Sequence, residues 1–236
     1  MAIATPNSGP IKVRTAGALR AGIAACAEAY RAKTRQTFVT SFTHGPAIEK
    51  ELEIRTCDAD IVGLTRDAID AAHRKGALAS RAVPVGSIQI GMAVRHGARR
   101  PDLADMAAFE EAVLAADALL YTTAASGNYM ATVFEKMGLT EQLASKSERF
   151  DTGAKVNDRL IAGTAPIEIA FGVATELLAH NDRGVIYLGP LPREIENPTP
   201  YAFAAVAGRD NNEVKAVLDF LATPVARELF AATGVD

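Results

Sequence analysis

The chain has 236 residues, of which 49% are hydrophobic, 22% charged and 6% aromatic, and its formal net charge is −3. This composition is ordinary for a globular protein, and the length is comfortable for two lobes. There is no basic stripe, which argues against nucleic acid as a partner. A slightly acidic chain can still bind an anion, because local dipoles and amide groups determine the charge of a site.

The N-terminal residues 1–10 lack the charged segment, the apolar segment and the cleavage site of a secretory signal. As written, the chain is expected to be cytoplasmic, or periplasmic if a signal peptide has been removed. Apolar runs stay well short of about 18 residues, so no membrane insertion is expected. Cys26 and Cys57 show no CxxC spacing and the histidines show no metal-ligand spacing. We therefore expect two buried free thiols, no metal and no cofactor.

Strand-like and helical segments alternate along almost the whole chain, which favours parallel sheets with helices on both faces. The predicted strands are residues 11–14, 36–41, 60–64, 86–95, 118–121, 167–171, 185–188 and 201–207. The predicted helices include residues 17–30, 46–52, 65–76, 105–114, 126–137, 158–162, 173–179, 213–221 and 225–232. Local signals support several ends, among them Pro46 in a first turn, Asp105 as a cap and Gly138 after a helix.

Two segments are candidates for crossings between lobes. One is the predicted strand 86–95, and the other is the proline-rich stretch 190–200. If both cross, residues 1–84 plus 200–236 form a discontinuous lobe I and residues 85–199 form lobe II. Two crossing strands make a hinge, and a ligand is then expected in the interlobe cleft.

At three points a strand-like run ends and a helix begins with small, hydroxyl-bearing residues. These points are residues 13–19, 39–45 and 121–127. A helix N-terminus leaves backbone N–H groups unpaired and carries partial positive charge, so it attracts anions. Three such termini converging on one cleft would hold an oxyanion or a carboxylate without much lysine or arginine.

The ordered set of motifs resembles the type II periplasmic-binding-protein superfamily, and within it the molybdate-binding-protein-like branch. The motifs are residues 11–20, the turn 41–45, Ala-Ser-Gly at 125–127, Gly-Pro-Leu-Pro at 189–192 and the closing segment 218–226. The resemblance covers most of the chain. It implies an α/β fold of two lobes, each a mostly parallel sheet flanked by helices, joined by a hinge of two crossing strands.

The resemblance also implies that hydroxyls and amides hold the anion at residues 15–18, 41–45, 125–128 and 172–175. The ligand residues expected there are Thr15, Ala16, Gly17, Ala18, Ser41, Thr43, His44, Ala125, Ser126, Gly127, Asn128 and Val173. Molybdate binders usually carry a tyrosine near the position of Val173, and small residues usually follow where Asn128 and Tyr129 stand. Molybdate, sulfate-like ions and di- or tricarboxylates all remain open.

Three charged or titratable residues stand out beside these motifs. His44 is expected in the first turn of a helix, where the dipole disfavours imidazolium, or else on a solvent-facing loop. Arg66 follows the third strand, at the carboxyl end where open α/β sheets bind ligands. Arg14 is either a carboxylate clamp or an exposed strand residue. Ser41 and Ser126 lack a GxSxG elbow, so we expect donors rather than nucleophiles.

Two classes of function fit these expectations. The first is a solute-binding protein that closes on a small anion, with an ABC transporter as its partner if it is exported. The second follows from a resemblance to the aconitate isomerase-like proteins of the same branch. It is a cytosolic isomerase that moves a double bond in an unsaturated di- or tricarboxylate. His44 would be its base, and Ser41, Ser126 and Arg14 or Arg66 would hold the carboxylates.

Overall fold

The computed structural model describes residues 9–79, 82–103 and 105–236. Residues 1–8, which carry most of the expectation about a secretory signal, lie outside this range. The described chain forms two compact units. Unit 1 contains the described residues up to Gly86, with 200–232 and 236, and unit 2 contains 87–199 and 233–235. Among the described helices, none combines the length and apolar character that a membrane crossing requires.

Strands and helices alternate along the described chain. The strands are β1 Ile11–Ala16, β2 Phe38–Thr43, β3 Ile61–Thr65, β4 Val83–Ile88, β5 Ile90–Arg95, β6 Ala118–Thr122, β7 Ser147–Phe150, β8 Glu168–Val173, β9 Val185–Pro190 and β10 Thr199–Ala205. The α-helices are α1 Arg20–Thr34, α2 Gly45–Glu53, α3 Arg66–Arg74, α4 Met106–Ala115, α5 Ala125–Lys136, α6 Thr140–Leu143, α7 Gly153–Ala162, α8 Ala174–Leu178, α9 Asn212–Leu221 and α10 Pro224–Ala231.

Unit 1 is built on a five-stranded sheet with the order β2-β1-β3-β10-β4. β1 runs parallel to β2 and to β3, with Ala16 opposite Thr43 and Thr15 opposite Gly63. β10 is antiparallel to β3. Helices α2 and α3 bury Ile48, Leu52 and Ile69 against strand residues such as Val62 and Leu64. This burial of aliphatic side chains holds α2 and α3 against β3.

Unit 2 is built on a second five-stranded sheet with the order β7-β6-β8-β5-β9. β6 runs parallel to β7 and β8, whereas β5 is antiparallel to both β8 and β9. Its core contains three phenylalanines in edge-to-face contact, with Phe171 5.7 Å from Phe134 and 6.2 Å from Phe109 between ring centroids. Each such pair adds about 0.5–1.5 kcal/mol beyond the burial of its area.

Several predicted element ends are confirmed. Pro46 lies in the first turn of α2, Asp105 caps α4 by accepting from the N–H of Ala108 at 2.9 Å, and Gly138 has a positive φ of 73° after α5. The two cysteines are free and buried, as expected. These features depend on local backbone chemistry, which the sequence shows directly.

The prediction of one long strand over residues 86–95 is wrong. The segment forms the end of β4 and the whole of β5, which are separated at Gln89 and belong to different sheets. Buried side chains continue on both sides of the break, as at Ile88 and Ile90. The hydrophobic pattern therefore runs on without a visible stop, and only pairing partners distant in sequence define the two strands.

Candidate functional site

The carboxyl ends of β1, β2 and β3 lie at one edge of the unit 1 sheet, because the three strands run parallel. After Ala16 a 3-10 turn follows at Gly17–Leu19, after Thr43 the chain enters α2, and after Thr65 it enters α3. We call this region edge 1. It brings three helical starts together, and a helical start carries partial positive charge and N–H groups without intrahelical partners. At α3 the Thr65 hydroxyl already accepts from the N–H of Ala68 at 3.4 Å.

Most of the predicted ligand residues of unit 1 lie at edge 1. They are Ala16, Gly17, Ala18, Thr43, His44 and Arg66. Ser41 lies two residues before the end of β2, and its side chain is exposed. Thr15 differs, because its side chain is fully buried and its hydroxyl donates to the carbonyl oxygen of Gly63 at 2.9 Å. That hydroxyl is therefore already used in a hydrogen bond within the sheet.

His44 occupies the N-cap position of α2, one residue before the first turn in which we expected it. Its side chain is exposed and makes no capping hydrogen bond. Its carbonyl oxygen accepts from the N–H groups of Ala47 and Ile48 at 3.0 and 3.4 Å. Because Pro46 has no N–H, we expect the N–H of Gly45 to be the donor that this turn offers to a ligand.

The two arginines singled out in unit 1 are both paired with carboxylates of the chain itself. Arg14 Nη2 lies 2.7 Å from Glu51 Oε1, and each side chain is about a quarter exposed. Arg66 Nε lies 2.9 Å from both carboxylate oxygens of Asp70, one helical turn later. A ligand carboxylate would have to compete with these partners, which weakens both arginines as ligand contacts.

Arg20 is a cation near edge 1 that the sequence did not single out. It is the first residue of α1, directly after the 3-10 turn, and its guanidinium carbon lies 4.2 Å from the centroid of the Phe42 ring. This cation–π contact restrains the side chain without neutralising its charge. Phe42 is 22 positions further along the chain, so no local sequence pattern reveals the contact.

The carboxyl ends of β6, β7 and β8 form the corresponding region of unit 2, which we call edge 2. These strands are parallel, and helices α5, α7 and α8 follow them. Ala125 is the exposed first residue of α5. Ser126 Oγ lies 3.3 Å from Thr122 Oγ1, and either hydroxyl can be the donor. Edge 2 therefore offers the same chemistry of amides and hydroxyls as edge 1.

Asn128 and Arg149 form the best-defined polar contact of edge 2. Arg149 Nη2 donates to Asn128 Oδ1 at 2.6 Å, and its Nε and Nη2 donate to the carbonyl oxygen of Thr122 at 3.3 and 3.2 Å. Its guanidinium carbon lies 5.4 Å from the centroid of the Tyr121 ring. The sequence reading missed Arg149 because it did not predict β7, a short polar strand.

Val173 is the N-cap residue of α8 and has no hydroxyl to offer a ligand. The N–H of Ala174 donates to the carbonyl oxygen of Gln89 at 2.9 Å, so this first-turn amide is already used. Thr175 is 7% exposed, and its buried Oγ1 has no hydrogen-bond partner among the described residues. In this segment Thr175 is thus a better candidate donor than Val173.

One cavity of unit 1 lies away from these residues. It has a volume of about 340 Å³ and is lined by residues that include Ile11, Tyr30, Gln36 and Glu213, near the amino ends of β1 and β2. Edge 1 is at the carboxyl ends of the same strands. The described residues contain no cluster of three or more His, Cys, Asp or Glu side chains suited to a metal ion.

Comparison with known proteins adds a family and a fold. Residues 11–236 match the model of the bacterial extracellular solute-binding protein family. An aconitate isomerase from Pseudomonas sp is 29% identical to this chain over 180 residues, which are 75% of this chain and 67% of that protein.

Solved structures with a similar fold share little sequence with the chain. A protein described as the substrate binding domain of a proposed molybdenum ABC transporter from Clostridium difficile has a TM-score of 0.78 at 13% identity, covering 95% of this chain and 97% of that one. The periplasmic molybdate-binding protein of Azotobacter vinelandii has a TM-score of 0.68 at 13% identity, covering 96% and 98%. The sulfate-binding protein SubI of Mycobacterium tuberculosis H37Rv has a TM-score of 0.65 at 16% identity, covering 95% and 85%.

These likenesses confirm the predicted α/β fold of the periplasmic-binding proteins. The family match extends over almost the whole described chain, from the start of β1 to the C-terminal residue. The chain therefore belongs to the bacterial extracellular solute-binding protein family.

Proposed function

We propose that this chain is a solute-binding protein whose ligand is a small anion. Edge 1 of unit 1 and edge 2 of unit 2 each offer the amides and hydroxyls that such a ligand requires. The observation that carries the proposal is the parallel pairing of β1, β2 and β3, which brings three helical starts to one edge. The parallel strands β6, β7 and β8 give unit 2 the same arrangement. Relatives of similar fold named for molybdate and sulfate binding support an anionic ligand.

Such edges can supply a useful affinity without a metal or a large charged pocket. A hydrogen bond to a charged group contributes about 1.5–3 kcal/mol, and a helix N-terminus adds about 0.3–1 kcal/mol for an anion. A dissociation constant of 1 μM corresponds to about 8.2 kcal/mol. Four or five donors from helix starts and from hydroxyls such as Ser41 contribute about 6–15 kcal/mol. Association itself costs about 4 kcal/mol or more, so micromolar affinity requires donors near the upper end of this range.

Isothermal titration with a panel of anions tests the proposal. We expect saturable binding of at least one among molybdate, tungstate, sulfate, phosphate, citrate, cis-aconitate and trans-aconitate. The variant Ser41→Ala should weaken that binding about tenfold, because it removes one hydroxyl donor to a charged ligand. Thr37→Ala, an exposed substitution before the amino end of β2, is the matched control and should bind normally. If Ser41→Ala left the binding unchanged, the Ser41 hydroxyl would not be part of the site.

The family description, extracellular solute binding, supports an exported receptor. We propose that its macromolecular partner is an ABC transporter that receives the anion. A transporter that takes up the bound anion only when this protein is present would support that role. Uptake that is equally fast without the protein would contradict it.

A second candidate function is the isomerisation of an unsaturated di- or tricarboxylate, which the aconitate isomerase relative favours. The exposed His44 would remove an allylic proton, the double bond would shift by one position, and the proton would return at the other end of the allyl system. Amides of edge 1 would stabilise the enolate-like charge. The test is the rate of trans-aconitate conversion to cis-aconitate. Turnover that falls at least a hundredfold in His44→Ala supports the reaction, and no turnover by the native chain excludes it.

A further inference from the structure

We propose that Arg149 is the charged ligand contact of edge 2 and that it binds a carboxylate group of a multiply charged organic anion. The inference rests on the proposed anion-binding function and narrows it to a ligand class. Neither the family match nor the sequence motifs assign a role to this residue.

Three neutral groups hold the Arg149 side chain in one position. The Thr122 carbonyl oxygen accepts from both Nε and Nη2, and Asn128 Oδ1 accepts from Nη2 at 2.6 Å. The Tyr121 ring lies under the guanidinium at 5.4 Å. Fixing a long side chain before the ligand arrives lowers the entropy that binding would otherwise cost. The two N–H groups of Nη1 have no hydrogen-bond partner among the residues that the structure describes.

The charge of Arg149 is not neutralised by any described carboxylate. Other arginines of unit 2 differ in this respect, since Arg159 pairs with both Glu148 and Glu168, and Arg183 pairs with Asp158. Glu148 precedes Arg149 in β7, but its carboxylate is bound by Arg159 at 2.8 Å and successive strand side chains point to opposite faces. Arg149 therefore carries a full positive charge, and the groups that accept its hydrogen bonds are all neutral.

This charge lies directly beside the start of α5. Asn128 is in the first turns of that helix, and its own N–H bonds to the carbonyl oxygen of Ala124 at 2.9 Å. A full charge is thereby added to the partial positive charge of a helix N-terminus. The N–H groups of Arg149 that stay free of the described residues are both on Nη1, and they can donate to a carboxylate oxygen of a ligand. We expect an anion with two or more carboxylates, because the second candidate function, which the isomerase relative favours, acts on that class.

Two variants separate the charge of Arg149 from its structural contacts. Arg149→Gln removes the charge. Asn128→Asp is nearly isosteric and still accepts from Nη2, but its carboxylate neutralises the guanidinium. Both should raise the dissociation constant for citrate or trans-aconitate by 10- to 100-fold. Asn128→Asp should leave the melting temperature equal or higher, because an acidic group near a helix N-terminus stabilises the helix. Arg183→Gln, at an exposed ion pair in the same unit, is the matched control and should bind normally.

The titrations distinguish failure of this inference from failure of the proposed function. Weaker carboxylate binding in both variants, with normal binding in the control, supports Arg149 as the contact. Tight citrate or trans-aconitate binding that survives both substitutions overturns it while anion binding stands. Binding of molybdate or sulfate alone, unchanged in Arg149→Gln, overturns it in the same way. Absence of binding by the native chain to every anion of the panel removes the proposed function and this inference together.

Discussion

The first turn of α5 approaches the end of β6 so closely that a Cβ on Gly127 would lie 1.8 Å from the carbonyl oxygen of Thr122. That same oxygen accepts the two hydrogen bonds from Arg149. The position of α5 relative to the end of the strand, and with it the geometry of edge 2, therefore depends on glycine at position 127.

Gly127→Ala should destabilise the protein, because the new methyl group would clash with backbone atoms of Thr122, which cannot move away as a flexible side chain can. Overpacking of this kind costs about 1–3 kcal/mol, which lowers the melting temperature of a chain of this size by about 2–12 °C. Thermal unfolding followed by circular dichroism measures the change. A melting temperature within one degree of the native value would mean that α5 can move without cost.

Gly17→Ala, unlike Gly127→Ala, should weaken ligand binding and leave stability nearly unchanged. A Cβ at this position has no heavy atom within 4 Å, so the fold has room for it. Gly17 lies at edge 1, where we expect the ligand to approach the backbone closely. The variant should unfold at nearly the native temperature but bind its anion at least fivefold more weakly by titration. Native affinity would place the ligand elsewhere on the unit.

Thr15→Val tests whether the buried hydroxyl of Thr15 serves the sheet or the ligand. The hydroxyl donates to the Gly63 carbonyl oxygen at 2.9 Å, and valine has nearly the same shape. Loss of this hydrogen bond should lower the free energy of unfolding by about 1 kcal/mol. The dissociation constant should stay within twofold of native. A large loss of affinity at unchanged stability would assign the hydroxyl to the ligand.

Stability should fall in alkaline solution through Cys26. Burial raises the pKa of its thiol to about 12, whereas the unfolded thiol ionises near pH 8.5. Between these values the unfolded state binds fewer protons than the folded state, so the free energy of unfolding falls by about 1.4 kcal/mol per pH unit. This stabilising contribution is complete below the unfolded pKa and is lost as pH rises towards 12.

Urea titrations at pH 8, 9 and 10 measure this slope, with Cys26→Ala as the comparison. The variant should be less stable at pH 8 because it leaves a small cavity. Its stability should nevertheless depend less on pH than that of the native chain. Equal slopes in the two proteins would show that Cys26 does not ionise on unfolding in this range.

The sequence predicts the fold class and many element ends because these depend on local patterns. Pro46 and Gly138 act through their own backbone geometry, and the family match confirms the superfamily. The break at Gln89 is not predictable locally, because buried residues continue on both sides of it. The lobe boundaries inferred from the sequence and the individual ligand residues stay predictions.

Part of the candidate site can also be predicted from the sequence, because it too depends on local patterns. Small residues at strand ends, such as Ser126 and Gly127, mark helix starts without any knowledge of the sheet. Arg149 could not be predicted from local patterns, because its partners Tyr121 and Asn128 are more than 20 positions away. Only the parallel pairing of β6 with β7, which sets Tyr121 opposite Arg149, brings them together.

A thermal-shift panel on the native chain tests the central claim, binding of a small anion, most directly. An anion present at about 100 times its dissociation constant adds about 2.7 kcal/mol to the stability of the folded state, which raises the melting temperature by roughly 5–10 °C. We predict this rise with citrate or trans-aconitate. No rise with any carboxylate or oxyanion of the panel would contradict the claim.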